Sequence, residues 1–209
     1  CRDWSSDVCS SDLFRSLEDR FYYPTDIVNN AQYDLATKQN MQKLIDLNRL
    51  SEKVKIESSI RTKGQLTTKT TYVEYENGNR YLPLNFFSAL GSNSLLCDLS
   101  VKYNSQSNII EKKDKNLQVT SYVWSYNGQY PIAEIKNATY QQVSNAVPGF
   151  LSAIESWANP SDLMLNSFFG SLRSGLTGAQ ITTYTYKPLV GMTSATDPRG
   201  VTTYYDYDE

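Results

Sequence analysis

The sequence predicts a mainly β protein of antiparallel hairpin and meander repeats, with an N-terminal helix and an inserted helical pair. Three observations carry this reading. Alternation with period two, rich in Thr, Val, Ile and Tyr, recurs from Lys53 onward, and such alternation marks half-buried strands. Asn77-Gly78 and Asn127-Gly128 are dipeptides that tolerate the positive φ of tight hairpin turns. Tyr outnumbers Phe sixteen to seven, which suits sheets with one wet side, because the ring packs while its hydroxyl reaches water.

The elements follow in chain order. Residues 1–13 read CRDWSSDVCSSDL, and one back-translation of Asp3 to Leu13 resembles a common sequencing-library adapter read in frame. The segment is therefore expected to be disordered and is set aside from fold reasoning. On that reading Cys97 is the one native thiol of three cysteines, expected to be a small buried hydrophobe beside Leu95 and Leu96. Residues 14–52 form an extended and then helical segment. Phe21-Tyr22-Tyr23 leads into Pro24, which disfavours helix in the residue before it. Lys38 to Leu50 has no Gly or Pro, and Met41, Leu44, Ile45 and Asn48 recur at helical spacing, so this helix is expected to cover a sheet.

Residues 53–138 are expected to be a β meander. Runs at 53–60, 65–75 and 80–84 are separated by Lys63-Gly64 and Asn77-Gly78. A loop follows around Gly91, then short strands at Val101–Tyr103 and Ile109–Ile110, and a charged turn over Lys112–Asn116. Gln118–Tyr126 and Tyr130–Ile135 flank Asn127-Gly128 as two arms of a hairpin. Residues 139–178 break the β pattern and predict an inserted helical hairpin. Its first helix runs to Trp157 with Pro148 as the opening residue, and Asn159-Pro160 stops it. Ser161 or Asp162 caps the second, whose apolar face carries Phe168, Phe169, Leu172, Leu176 and either Met164 or Leu165. In residues 179–209, two Tyr/Thr runs (Thr182, Tyr184, Tyr186 and Val201, Thr203, Tyr205, Tyr207) bracket the turn Asp197-Pro198-Arg199-Gly200.

Chemistry is sparse. The chain has no His, so the commonest general base and metal ligand is missing. A net charge of -2 gives no basic balance for nucleic acid, and there is no apolar run long enough to span a membrane. The densest acidic group is Asp197, Asp206, Asp208 and Glu209. No calcium-loop spacing accompanies it, and a turn already accounts for Asp197. Tyr184, Tyr204 and Tyr205 with Lys187 and Arg199 could stack on sugars, although such stripes more often pack a sheet. The expectation is no catalytic, metal or cofactor residue, no cofactor and no enzyme.

The chain repeats. Tyr186 recurs as Tyr207 and Tyr103-Asn104 as Tyr126-Asn127, each after an alternating run. The repeat-motif residues Tyr184, Tyr186, Gly191, Asp197, Pro198, Gly200, Tyr205, Tyr207 and Asp208 resemble the unit of the Rhs/YD-repeat family. Lys187-Pro188 departs from it where Asp and its neighbour are usual, and Met192 stands where Arg commonly follows the glycine. The resemblance implies a fragment of a large exported, secreted or cell-surface protein. In that family many such repeats form a hollow β shell around a C-terminal cargo domain, often a polymorphic toxin. The partners it implies are neighbouring repeats of a longer chain and that cargo. The alternative is an adhesin module binding cell-surface carbohydrate or protein. A wall segment would leave strand edges open before Ile56 and after Tyr207.

Overall fold

The computed structural model describes residues 16–62, 65–75 and 80–208. Among the described residues the chain is mainly antiparallel β with five helices, and each strand pairs with its neighbours in sequence. It divides into two compact units, with the boundary between Ser100 and Val101. That boundary falls inside the span 53–138 that the sequence presents as one meander.

In the first unit, strands β1 (Ser16–Tyr22), β2 (Lys55–Thr62), β3 (Gln65–Tyr75) and β4 (Pro83–Leu90) lie side by side. The beginning of β5 (Leu96–Tyr103) follows, with Asn85 opposite Ser100 and Ser88 opposite Leu96. β1 pairs with β2 from Ser16–Arg61 to Tyr22–Lys55, so the edge expected to be open before Ile56 is covered. The charged run of β1 conceals its strand character, and its pairing is decided by distant β2. The predicted turns at Lys63-Gly64 and Asn77-Gly78 lie outside the described residues.

Two helices pack on this unit. Pro24 opens α1 (Pro24–Val28), where a missing N–H costs nothing, and the Asp26 carboxylate accepts the Tyr23 N–H at 2.8 Å. The second helix, α2 (Leu35–Asp46), begins and ends earlier than the predicted 38–50. Asp34 caps it by accepting the Thr37 N–H at 2.7 Å. Asn48 terminates it at φ 57°. There Asn48 N–H donates to Ile45 O and Arg49 N–H to Leu44 O, both at 2.8 Å, the paired bonds of a Schellman end. Met41 and Leu44 fill a small core with Ile27, Val54 and Tyr75. Cys97 is exposed, not buried as expected, because the loop before it carries β5's first residues out of that core.

The second unit holds the end of β5 and strands β6 (Ile109–Asp114), β7 (Val119–Ser125), β8 (Tyr130–Lys136), β9 (Gln180–Lys187), β10 (Gly191–Thr196) and β11 (Thr202–Tyr204). Residues 112–114, read from the sequence as turn, continue β6. The two Tyr/Thr runs are not paired with each other: β10 lies between them, with Ala195 opposite both Tyr184 and Thr203. Its Gly-Met-Thr-Ser-Ala-Thr sequence lacks the large alternating residues that announce a strand.

The insertion contains three helices instead of two: α3 (Tyr140–Ala146), α4 (Phe150–Ser156) and α5 (Asp162–Gly175). The missed helix, α3, starts at a capping box in which Thr139 Oγ1 accepts the Gln142 N–H and Gln142 Oε1 accepts the Thr139 N–H, a signal carried by the spacing Thr-x-x-Gln. Pro148 does not open α4; Gly149 is its N-cap. Ser161 caps α5, accepting the Met164 N–H at 3.3 Å. The helices bury Val143, Ile154, Leu165, Phe168 and Leu172 against Val123, Ile132, Ala133, Ile135 and Ile181 of the sheet. Among the described residues no helix is long and apolar enough to cross a membrane.

Candidate functional site: a recurring turn and latch

The sequence-selected residues gather around β9–β11, and their geometry is constructional. Asp197 Oδ1 accepts two backbone N–H groups, from Arg199 and Val201, each at 2.9 Å. Gly200 N–H donates to Asp197 O at 3.0 Å and Asp197 N–H to Val201 O at 2.9 Å. The Val201 N–H and the Arg199 side chain hold the Asp197 carboxyl below the usual carboxylate range. Pro198 fits the first central position, where φ is negative and no donor is needed. Gly200 has φ 88°, which only a residue tolerant of the left-handed region adopts without strain.

The same turn occurs twice more. Asp114 Oδ1 accepts the N–H groups of Asn116 and Gln118, each at 2.9 Å. Asn104 Oδ1 accepts those of Gln106 and Asn108, at 3.0 and 2.9 Å. In each case the residue three places on, Leu117 at φ 64° and Ser107 at φ 71°, takes the position that Gly200 fills. The two backbone bonds that close the turn also recur. Sequence inspection reads the Asp197 turn and a charged turn at 112–116 but not their likeness, since Leu and Ser do not advertise positive φ.

A second device recurs with it. An aromatic side chain at the end of the second strand of a hairpin, or just beyond it, donates to a carbonyl at the start of the first. Trp124 Nε1 donates to Ile109 O at 2.8 Å; Tyr186 hydroxyl donates to Pro131 O at 2.9 Å; and Tyr207 hydroxyl donates to Met192 O at 2.9 Å. The first and third pairs are each separated by 15 residues. The second pair is separated by 55, and removing the 40 residues of 139–178 leaves the same 15. Asp114 and Asp197 occupy equivalent places between their latch partners. Lys136, paired across with Gln180, occupies that place in the middle hairpin, so the helices enter where the others have a turn. The spacing assigns Trp124, not Tyr126, to the repeat position. A search keyed on Tyr misses it.

Gly191 belongs to the latch. A Cβ there would overlap the Tyr207 hydroxyl and ring, so glycine lets the phenol reach Met192 O. The middle latch sits among tyrosines. Tyr186 stacks on Tyr130 at 4.8 Å and meets Tyr126 edge-on at 6.0 Å. Tyr126 hydroxyl donates to Tyr186 O at 3.1 Å and accepts Tyr186 N–H at 3.2 Å. Burial pushes the Tyr186 phenol up to about 12. Against about 10 in the unfolded chain, the folded state holds this proton more tightly. Its contribution is therefore complete below about pH 10 and disappears as pH rises through about 12. For a part-buried ring we expect a loss on the order of 1–2 kcal/mol after discounting for solvent. Urea unfolding from pH 8 to 11.5 measures it, and Tyr186→Phe should flatten the slope. An unchanged slope in the variant would assign the alkaline loss to other tyrosines.

The remaining sequence-selected residues are placed as follows. Tyr184 lies near Glu134, Tyr122 and Tyr205, and burial raises its phenol. Tyr204 is 78% exposed. Tyr205 follows β11 and donates its N–H to Thr193 O at 3.0 Å. Arg199 pairs with Asp197, not with a ligand-facing group. Asp206 and Asp208 are exposed, and Glu209 lies outside the described residues. No group of three or more Cys, Asp or Glu side chains among the described residues is arranged to hold a metal ion. The fold and these residues define a mainly antiparallel β protein with a latched hairpin repeat in its second unit. No protein-family model matches the chain, and no curated protein matches it.

Proposed function

We propose that the second unit is a structural segment of an Rhs/YD-type exported or cell-surface protein. Its hairpins would form part of a β wall that encloses or presents a C-terminal domain, with no catalytic role of their own. The observation that carries this is the latch spacing: three hairpins share one internal distance once the helical insertion is removed. A unit reused in this way is useful where copies stack and each completes its neighbour's hydrogen bonding. Among the described residues β11 pairs only with β10, so its outer edge suits a further hairpin.

Appending a second copy of residues 188–208 after Asp208 tests the reading. The added hairpin should raise the urea midpoint and protect the β11 amides from hydrogen exchange. If the added residues exchange freely and the midpoint is unmoved, the unit does not stack and the wall reading fails.

A further inference from the structure

The first unit contains a pocket unconnected with the repeat. It has a volume of 410 Å³ and lies between α2 and strands β3 and β4, with Asp34, Met41, Tyr72, Glu74, Tyr75 and Phe87 among its walls. The Tyr72 and Phe87 rings face each other across the strand pair, 6.3 Å apart and tilted by 35°. Glu74 stands beside them, half-buried. Its Oε2 accepts a hydrogen bond from the neutral Asn85 amide at 2.7 Å, and Ser100 hydroxyl donates to Asn85 Oδ1 at 2.6 Å. No Lys or Arg lines the pocket, and among the described residues none forms an ion pair with Glu74.

A half-buried carboxylate is ordinarily answered by a cation. Asp34, the other acid in the wall, is occupied in capping α2. That bond answers one of the exposed N–H groups at the positive end of the helix and leaves Glu74 as the unbalanced charge. Burial, and after it the Glu74 carboxylate, raise the Tyr72 phenol. Aromatic faces beside an uncompensated carboxylate attract an organic cation through the ring quadrupole and the charge together.

We propose that this pocket binds a small quaternary ammonium group, seated on Tyr72 and Phe87 with Glu74 as its counter-charge. The proposal is independent of the repeat reading of the second unit. Choline and its neutral isostere 3,3-dimethylbutan-1-ol are the probes, and the methionine methyl signals of the full chain are the readout. Met41 is in the pocket wall, whereas Met164 and Met192 lie in the second unit and serve as internal controls. Choline should shift Met41 saturably, leave Met164 and Met192 in place, and bind at least tenfold more tightly than the isostere. Glu74→Gln keeps an acceptor for Asn85 and should bring choline down to the level of the isostere. Equal binding of the two probes, absence of a Met41 shift, or unchanged choline affinity in Glu74→Gln overturns the proposal. The comparison of probes on the unsubstituted chain decides the matter even if the variant does not fold.

Discussion

Excising residues 137–179 and joining Lys136 to Gln180 through a three-residue turn is expected to abolish cooperative unfolding of the second unit. The hairpin itself tolerates the change, because three residues, 115–117, likewise separate Asp114 from its turn partner Gln118. The packing does not. The helices cover Val123, Ile132, Ala133, Ile135 and Ile181, and exposing a large apolar side chain costs about 1.5–3 kcal/mol. Glu111 Oε2 accepts the Tyr140 N–H at 2.7 Å. Ser121 and Ser125 hydroxyls donate to Ala138 O and Ile154 O at 2.7 and 2.8 Å. Each such bond exchanged for one to water costs about 0.5–1.5 kcal/mol. Together these losses are on the order of 10 kcal/mol, comparable with the whole stability of a domain. Tryptophan fluorescence and size-exclusion chromatography check this, since Trp124 in β7 is retained after the excision. A monomeric variant with a sharp melt would show that the helices are decoration.

Phe168→Ala is expected to cost about 3–5 kcal/mol, the usual range for a fully buried aromatic. Phe168 is 0% exposed, with its ring 6.0 Å from Phe169 and 6.5 Å from Phe150. Phe150 is 42% exposed, and Phe150→Ala should cost well under half as much. The urea midpoint of the fluorescence transition measures both. Equal costs, or a cost below about 1 kcal/mol for Phe168→Ala, would mean that α5 does not pack on the sheet as described.

Much of this architecture is legible in the residues. Alternation marks β3, β7, β8 and β9, and the run from Asp162 to Leu172 marks α5 because the apolar face and its Ser cap agree. Two strands escape. β1 is charged and β10 is small and polar, so each is held in place mainly by the ladder it joins. The helix α3 escapes for a different reason: its Thr-x-x-Gln cap is present, but the seven residues that follow are too few to show a period. At the repeat, Asp197 and Gly200 are readable as a turn, and Tyr186 and Tyr207 as counterparts. Their shared role as donors to Pro131 O and Met192 O depends on carbonyls in other strands.

The sequence by itself determined the class of protein, because strand alternation, turn dipeptides and helix caps are local and act through a few adjacent residues. It also marked the helical insertion, whose composition differs from the strands around it. The tertiary structure alone decided which hairpins are equivalent, which aromatic is the latch, and that Glu74 faces a pocket without a cation. Each of these is a meeting of residues distant in the chain, fixed by strand register and packing. No local preference encodes that meeting; it exists only once the ladders have formed.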